Sequence, residues 1–299
     1  MGFGTLIMFM SYYELTKPKV VKLILVTAII GMLLAVDYQQ FPVQEFIFGL
    51  IGIGLGSASG AAFNHIIDEG IDSKMQRTEN RPLPTGSVTK KNAIIFASSL
   101  GILSMLVLVI FVNFLTAWLT LVSMIGYAVI YTIYLKRSTP QNIVWGGAAG
   151  AMPPVLGWTA VTGSVHTEAL LLFLLVFIWT PPHFWALAIK RREEYKKADI
   201  PMLPVTHGVD FTKDQILLYT LMLLVVSVLP FAIQMSGVIY LAAAVVLGFI
   251  FIYFAWKLHR DPSDKNAMKT FWYSIFYLNG IFLFLLLDRY ARIFLDNFY

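Results

Sequence analysis

Nine apolar stretches run along the chain, each bounded by charged or turn-forming residues. A helix that crosses a bilayer needs about 20 apolar residues, and each stretch comes close to that length. The stretches are residues 20–36, 43–63, 93–112, 114–135, 142–162, 169–189, 216–235, 237–256 and 271–288. The pattern predicts an all-α polytopic membrane protein, one domain of nine transmembrane helices over residues 1–299. Asn113 interrupts a run that is twice the bilayer thickness, so we expect a tight turn there.

Composition excludes the other broad classes of protein. Of the 299 residues, 58% are hydrophobic and 13% are charged, whereas a soluble domain has about 45–50% apolar and about 25% charged residues. An aromatic content of 15% argues against disorder. The chain has no cysteine, which excludes disulfides, iron–sulfur clusters and thiolate zinc sites.

Lysine and arginine divide unevenly between alternate connections. If the nine stretches are numbered in order, 20 of the 22 basic residues fall on one side of the membrane. The positive-inside rule then places the N-terminus and the long loops after helices 2 and 6 in the cytoplasm, and the C-terminus outside. The same asymmetry accounts for the net charge of +5 without a nucleic-acid partner. The first 16 residues resemble neither a cleavable signal nor an arginine-rich transit peptide, which favours a bacterial inner membrane.

The most informative polar residues end the second stretch. Asn64, Asp68 and Asp72 are spaced by four, so on a helix they line one face. Carboxylates at this depth are costly unless they are paired or bind a metal. Two carboxylates on one face suit Mg²⁺, which commonly binds through one or two carboxylates together with substrate phosphates.

A basic cluster follows these acids. Lys74, Arg77 and Arg81 come next in the chain, and the guanidinium fork suits the oxygens of a phosphate group. A metal–diphosphate complex requires both groups, because carboxylates bind the metal and cationic side chains bind the phosphate oxygens. We expect Pro82 and Pro84 to end the helix. The alternative is a solvated helix end in which these charges pair with each other.

A second stretch with candidate site residues covers residues 179–204. Pro181 and Pro182 are expected to break the sixth helix inside the membrane. His183 follows at once, and a histidine within a membrane is a candidate ligand, base or hydrogen-bond donor, although it can also be structural.

The basic residues that follow are open to two interpretations. Lys190 and its neighbours could bind an anion or could anchor the helix at the cytoplasmic surface. Glu193 and Glu194 could be metal ligands or surface partners of these bases.

A third stretch, residues 136–158, is rich in glycine and alanine. Small residues allow close helix packing, or they make room for a large flat ligand. Lys136 and Arg137 begin this stretch on the predicted cytoplasmic side and could reach an anion bound there.

Three motifs resemble those of a known family. Asn64, Asp68 and Asp72, followed by Met75, Arg77, Thr78, Arg81, Pro82 and Leu83, resemble the first aspartate motif of the UbiA superfamily of intramembrane prenyltransferases. The runs TPQNIVWGGAAGAMPPVLGW and PPHFWALAIKRREEYKKADIPMLP are similar to the haem O synthase (protohaem IX farnesyltransferase) branch of that superfamily. The resemblance extends from about Lys17 to beyond Pro204.

This resemblance implies a UbiA-type bundle that joins farnesyl diphosphate to haem B with addition of water, giving haem O and diphosphate. It implies that Asp68 and Asp72 are catalytic and, with Asn64, bind Mg²⁺. The implied diphosphate ligands are Asn64, Lys74, Arg77, Arg81, Lys136, Arg137 and Lys190. Arg77 and Arg81 are catalytic in this interpretation. A downstream haem A synthase is an implied neighbour.

The second aspartate motif of the quinone-type members is missing. His183 and Lys190 stand where aspartates would be, with Glu193 and Glu194 the remaining acids. A second metal site is therefore an open alternative, and His183 becomes a candidate catalytic residue that binds haem.

Other functions fit less well. A transferase of an aromatic or quinone precursor predicts two intact aspartate motifs. A secondary transporter usually has polar residues along several helices, whereas the predicted outer half of this chain is almost uncharged. A purely structural subunit would not explain the spacing of acids and arginines.

Overall fold

The computed structural model describes residues 3–36, 38–73, 75–76 and 78–296. In this part of the chain the regular structure is helical, and no strand occurs. The α-helices are α1 Phe3–Leu15, α2 Pro18–Ala35, α3 Val43–Asp72, α4 Lys90–Phe111, α5 Phe114–Ile125, α6 Lys136–Ser138, α7 Asn142–Ala151, α8 Pro153–Thr162, α9 Thr167–Lys190, α10 Arg192–Lys197, α11 Leu203–Thr206, α12 Val209–Ala232, α13 Val238–His259 and α14 Ala267–Asp296. A 3₁₀ turn covers Tyr38–Gln40, and a π-helix, Gly126–Leu135, joins α5 to α6. The all-α prediction is confirmed.

Eight helices in the described residues are long and apolar enough to cross a membrane. They correspond to eight of the nine predicted stretches. The remaining stretch, residues 142–162, forms the two ten-residue helices α7 and α8, which are separated at Met152. Pro153 and Pro154 have no N–H to continue the helix, and a ten-residue helix is only about 15 Å long. The count of nine crossings therefore stays a prediction.

Asn113 marks the predicted turn between two spanning helices. Its side-chain oxygen accepts a hydrogen bond from the Thr116 N–H at 2.8 Å, so it caps the start of α5. Its amide group donates to the carbonyl of Thr159 at 2.9 Å. Helix α4 ends at Phe111 and α5 begins at Phe114, so the predicted tight turn at Asn113 is confirmed.

The predicted break at Pro181 and Pro182 is wrong. Helix α9 continues through both prolines from Thr167 to Lys190. The two prolines still remove two backbone donors from the helix, but they do not end it. Buried surroundings explain the tolerance, since two thirds of the spanning part of α9 is buried, the largest share of the eight candidate spans.

The chain divides into two compact units, which are described separately. The first unit contains α1 to α6 and α8, and the second contains α7 and most of α9 to α14. In the first unit, α2 and α8 cross at very short distance. A Cβ on Gly157 would lie 2.0 Å from the Ala28 carbonyl oxygen, and one on Gly31 would lie 2.1 Å from that of Pro154. Only glycine permits this crossing.

In the second unit, α9 packs against α7, α12 and α14. Helix α7 approaches α9 at Gly147, where a Cβ would lie 2.9 Å from the Thr180 side chain. Close packing therefore explains Gly147, as it explains Gly157 in the first unit. Gly150, by contrast, has open space where its Cβ would lie.

Candidate active site

The end of α3 carries the predicted row of polar side chains. Asn64, Asp68 and Asp72 lie on the same helix and are all buried, with 2–4% of each residue exposed. The Asn64 amide donates to Asp68 Oδ2 at 2.9 Å, which is the contact expected between residues four apart. The structure therefore brings these three predicted residues together.

Each buried carboxylate is paired with a cation. Lys136 Nζ lies 2.6 Å from Asp68 Oδ2, and Arg81 Nη1 lies 2.6 Å from Asp72 Oδ2. Arg137 donates to the carbonyl of Ile67 at 3.1 Å, which places it beside the same helix. Both carboxylates are almost fully buried, and pairing with a cation offsets the cost of burying a charged group.

Arg81 reaches Asp72 through a turn. The prediction that the helix continues to Pro82 is wrong, because α3 ends at Asp72. The Thr78 hydroxyl donates to the Asp72 carbonyl at 2.9 Å and holds the chain as it turns back. Met75 and Leu83 are buried on either side of this turn, so apolar contacts fix the segment that presents Arg81.

The π-helix supplies further polar contacts from a distant part of the sequence. The Asn64 amide donates to Thr132 Oγ1 at 3.0 Å, and that hydroxyl donates to the Tyr127 carbonyl at 2.8 Å. Segments of π-helix often occur at functional sites. Here the π-helix leads directly into Lys136, the partner of Asp68.

In the second unit, aromatic residues surround His183. Its ring stacks on Trp179 at 4.2 Å between centroids and on Phe271 at 4.6 Å, and Phe184 meets it edge-on at 5.0 Å. His183 Nδ1 lies 2.7 Å from the Ser274 hydroxyl. We call Trp179, His183, Phe271 and Ser274 the imidazole box.

A family profile decides how these residues are to be interpreted. The profile described as the UbiA prenyltransferase family matches residues 24–281, most of the chain. The chain belongs to the UbiA prenyltransferase family. The resemblance inferred from the three motifs is thereby confirmed, and so is the family's fold class.

Two sequence relatives share most of the length of this UbiA protein. The protoheme IX farnesyltransferase of Thioalkalivibrio sulfidiphilus is 61% identical over 94% of this chain and 93% of its own. The protoheme IX farnesyltransferase of Nitrosococcus oceani is 58% identical over 98% of this chain and 97% of its own.

Solved structures share the fold at low identity. A structure of digeranylgeranylglyceryl phosphate synthase superposes with a TM-score of 0.81 at 21% identity, over 94% of this chain and 98% of that one. A UbiA homologue from Archaeoglobus fulgidus bound to DMAPP and Mg²⁺ superposes with a TM-score of 0.65 at 15% identity, over 92% and 99%. These likenesses establish the fold alone.

Lys17, which was not among the predicted site residues, contacts the polar row at the end of α3. It is the residue before α2, has a left-handed backbone (φ 49°) and donates to Asn64 Oδ1. Burial first, and then the charge of Arg81, lower the pKa of Lys17 to about 7. Its position at the start of the first spanning helix was the available signal.

His65 was also missed. It is 3% exposed, and neither ring nitrogen has a hydrogen-bond partner among the described residues. It lies three positions before Asp68, on the same side of α3. The signal was a histidine inside an apolar helix, next to Asn64.

We call Lys17, Asn64, Asp68, Asp72, Arg81 and Lys136 the polar cluster. Within the described residues no group of three histidines or acids could hold a metal without other ligands. Asp68 Oδ1 is nevertheless buried with no hydrogen-bond partner there. A buried, unpartnered carboxylate oxygen beside a second carboxylate fits a hard dication whose remaining ligands are phosphate oxygens and water.

The charges of the polar cluster fit the same ligand. Three cationic side chains and two carboxylates leave one net positive charge when Lys17 is protonated. A dication and a trianionic diphosphate ester would bring that sum to zero. Lys74 and Arg77, two of the predicted anion ligands, lie outside the described residues.

Of the predicted residues at the end of α9 and in α10, Lys190 and Glu193 are exposed, whereas Glu194 is half-buried. Lys190 is exposed and forms no ion pair with another described residue. Arg192 Nη2 lies 3.1 Å from Glu193 Oε1, and both side chains are exposed. This pair corresponds to the surface alternative, and a metal at Glu193 and Glu194 stays a prediction.

Proposed function

We propose that this chain catalyses farnesyl transfer to haem B, with addition of water, to form haem O and diphosphate. The observation that carries this conclusion is sequence identity: eight relatives named protoheme IX farnesyltransferase are 54–61% identical over at least 94% of this chain. The acids, bases and histidine quoted above supply suitable chemistry. A quinone-type acceptor is not favoured.

The polar cluster is the proposed diphosphate site. In the structure, the Asp68 and Asp72 carboxylates are neutralised by Lys136 and Arg81. When substrate binds, these cations would turn to phosphate oxygens and the carboxylates to the metal. The internal ion pairs thus keep the buried charges compensated until the substrate takes their place.

Mg²⁺, held by Asp68, Asp72 and the Asn64 oxygen, would supply Lewis-acid stabilisation of the departing diphosphate. Arg81, Lys136 and Lys17 would hold the same oxygens as the allylic C–O bond breaks and its electron pair leaves with the diphosphate. Arg77, Lys74, Arg137 and Lys190 are further proposed anion contacts. Donors that are already in place need no rearrangement at the moment of ionisation.

The farnesyl carbon that loses diphosphate then forms a bond to a haem vinyl group. Water adds to the resulting cation and loses a proton, which leaves a hydroxyl group. Exclusion of water from the site would protect the first cation from premature hydrolysis. His183 is the proposed haem contact, because imidazole is a common ligand of haem iron.

We place the protein in a bacterial inner membrane, as a single domain with its N-terminus and the two long loops in the cytoplasm. The eight apolar helices support a multi-pass membrane protein, and the distribution of lysine and arginine supports the orientation. Haem A synthase is proposed as the consumer of the product.

The test is direct. Membranes containing the chain are incubated with haem B, farnesyl diphosphate and Mg²⁺, and the product is analysed by mass spectrometry. We expect hydroxyethylfarnesyl haem, with loss of product when a chelator removes Mg²⁺. Prenylation of an aromatic acid or quinone precursor in place of haem would contradict the proposal.

A further inference from the structure

The hydrogen bonds of Ser274 determine which nitrogen of His183 carries a proton. Ser274 Oγ lies 2.6 Å from the carbonyl oxygen of Phe271 and 2.7 Å from His183 Nδ1. Two oxygens at 2.6 Å need a hydrogen between them, and a carbonyl has none to give. The serine hydrogen therefore points to Phe271.

The imidazole must then be the donor in its own contact with Ser274. A neutral imidazole carries one N–H. With the proton on Nδ1 and directed at Ser274 Oγ, the other nitrogen, Nε2, keeps its lone pair. Nε2 has no hydrogen-bond partner in the described part of the chain. A lone pair on Nε2 is the form in which histidine binds a metal.

The imidazole box also fixes the plane of the ring. Trp179 and Phe271 are both nearly parallel to the imidazole, at 18° and 25°. Two rings this close cannot share one face, so they lie on opposite faces. The Trp179 indole N–H donates to the Ser274 carbonyl at 2.7 Å, which ties the sandwich to the same residue.

We propose that Ser274 is a positioning residue that holds His183 as the Nδ1–H tautomer and so presents Nε2 to the iron of the haem substrate. This rests on the proposed function, since it assumes that haem is bound. Histidines that ligate metals generally donate their other N–H to a fixed acceptor, and losing that acceptor costs about 10- to 100-fold in affinity. Ser274 is fully buried and can serve as that acceptor.

The tautomer is tested on the wild-type chain in the absence of both substrates. Nitrogen-15 NMR of histidine-labelled protein in detergent, without haem, distinguishes a protonated from an unprotonated ring nitrogen. We expect Nδ1 of His183 to be protonated and Nε2 unprotonated, with His183→Ala used to assign the signals. A proton on Nε2 would overturn the inference.

The positioning role is tested by titrating haem B into the full-length protein without farnesyl diphosphate. Ser274→Ala should weaken haem binding about 10- to 100-fold and shift the iron–histidine stretch in resonance Raman spectra. Affinity for farnesyl diphosphate with Mg²⁺ should stay within about twofold. Ser274→Thr, which keeps the hydroxyl, should restore haem binding.

Ser227→Ala is the matched control. Ser227 is also a fully buried serine of the second unit, and it bonds to Tyr277 and to the Leu223 carbonyl. This variant should leave haem affinity unchanged.

The positioning role would be refuted if Ser274→Ala bound haem as tightly as the wild type and its iron–histidine band were unshifted. Haem O formation by the wild type would in that case leave the proposed function intact. Absence of haem O from the wild-type reaction would refute the function, and the NMR result would stand separately.

Discussion

The polar cluster and the imidazole box are both buried, but they offset the free-energy cost of burying polar groups in different ways. The polar cluster contains full charges and compensates each carboxylate with a cation at 2.6 Å. The imidazole box contains a group that we infer to be neutral, held by two aromatic faces and one hydroxyl. The first arrangement can exchange its partners, whereas the second holds one orientation.

This difference matches the chemistry proposed for each region. A diphosphate and a dication bring charges, so they can replace internal ion pairs without leaving a charge buried alone. Haem iron instead needs a lone pair at a fixed position. Three substitutions in these two regions test the difference, and a fourth, in an exposed loop, provides a reference outside the membrane.

Asp68→Asn should have the largest effect. Removing this charge takes away a proposed metal ligand and leaves Lys136 without its carboxylate, so the farnesyl transfer rate should fall by at least about 10²- to 10³-fold. The measurement is haem O formation per mole of correctly folded protein.

The matched control for Asp68→Asn is Glu69→Gln. Glu69 is the next residue of α3, but its carboxylate is part-exposed and lies 3.6 Å from the exposed Lys90. This variant should keep the wild-type rate, because surface ion pairs contribute little. A normal rate in Asp68→Asn would remove the metal assignment.

Arg81→Lys should have the next largest effect. Lysine keeps the charge but loses the planar fork that binds two oxygens at once, so kcat/KM for farnesyl diphosphate should fall about tenfold. Haem affinity should not change. Arg260→Lys, at an exposed arginine after α13, is the control. Equal losses toward both substrates would contradict a role confined to the diphosphate.

Trp179→Phe tests the imidazole box and should have a smaller effect than the two substitutions in the polar cluster. The substitution keeps a stacking ring but removes the N–H bond to the Ser274 carbonyl. Since one neutral hydrogen bond contributes about 0.5–1.5 kcal/mol, the haem dissociation constant should rise about 2- to 10-fold. Diphosphate binding should be unaffected. A change in diphosphate affinity of similar size would show that the two sites are not energetically independent.

The smallest effect is expected for Asp261, in the loop between α13 and α14, because water screens charges outside the membrane. Hydrogen bonds from the Ser263 hydroxyl and from the backbone of Ser263 and Asn266 lower the pKa of Asp261 to about 2, from 3.8. A lowered carboxyl pKa stabilises the folded loop above pH 3.8, and this stabilisation is lost as pH falls towards 2.

Asp261→Asn should abolish that acid-dependent step. The measurement is limited proteolysis of the loop between α13 and α14 at a series of pH values, for wild type and variant. Parallel pH profiles would show that Asp261 is not responsible. Asp214→Asn, at an exposed aspartate of the second unit, should retain the wild-type profile.

Much of the fold could be predicted because the signals are local. Apolar length located eight spanning helices, and Asn113 located a turn, since caps and spans depend on neighbours within a few residues. The same locality placed Asn64, Asp68 and Asp72 on one face of α3. The local prediction of a helix break at Pro181 and Pro182 is wrong, because packing around α9 overrides the tendency of proline to end a helix.

The sequence by itself determined the membrane class, the helical periodicity and the row of acids, because each depends on residue spacing along one segment. Only the tertiary structure decided the partners. Asp68 meets Lys136 from 68 positions away, and His183 meets Ser274 from 91 positions away. No local pattern encodes such pairs, because a buried charge or ring nitrogen is satisfied by whichever helix packs against it.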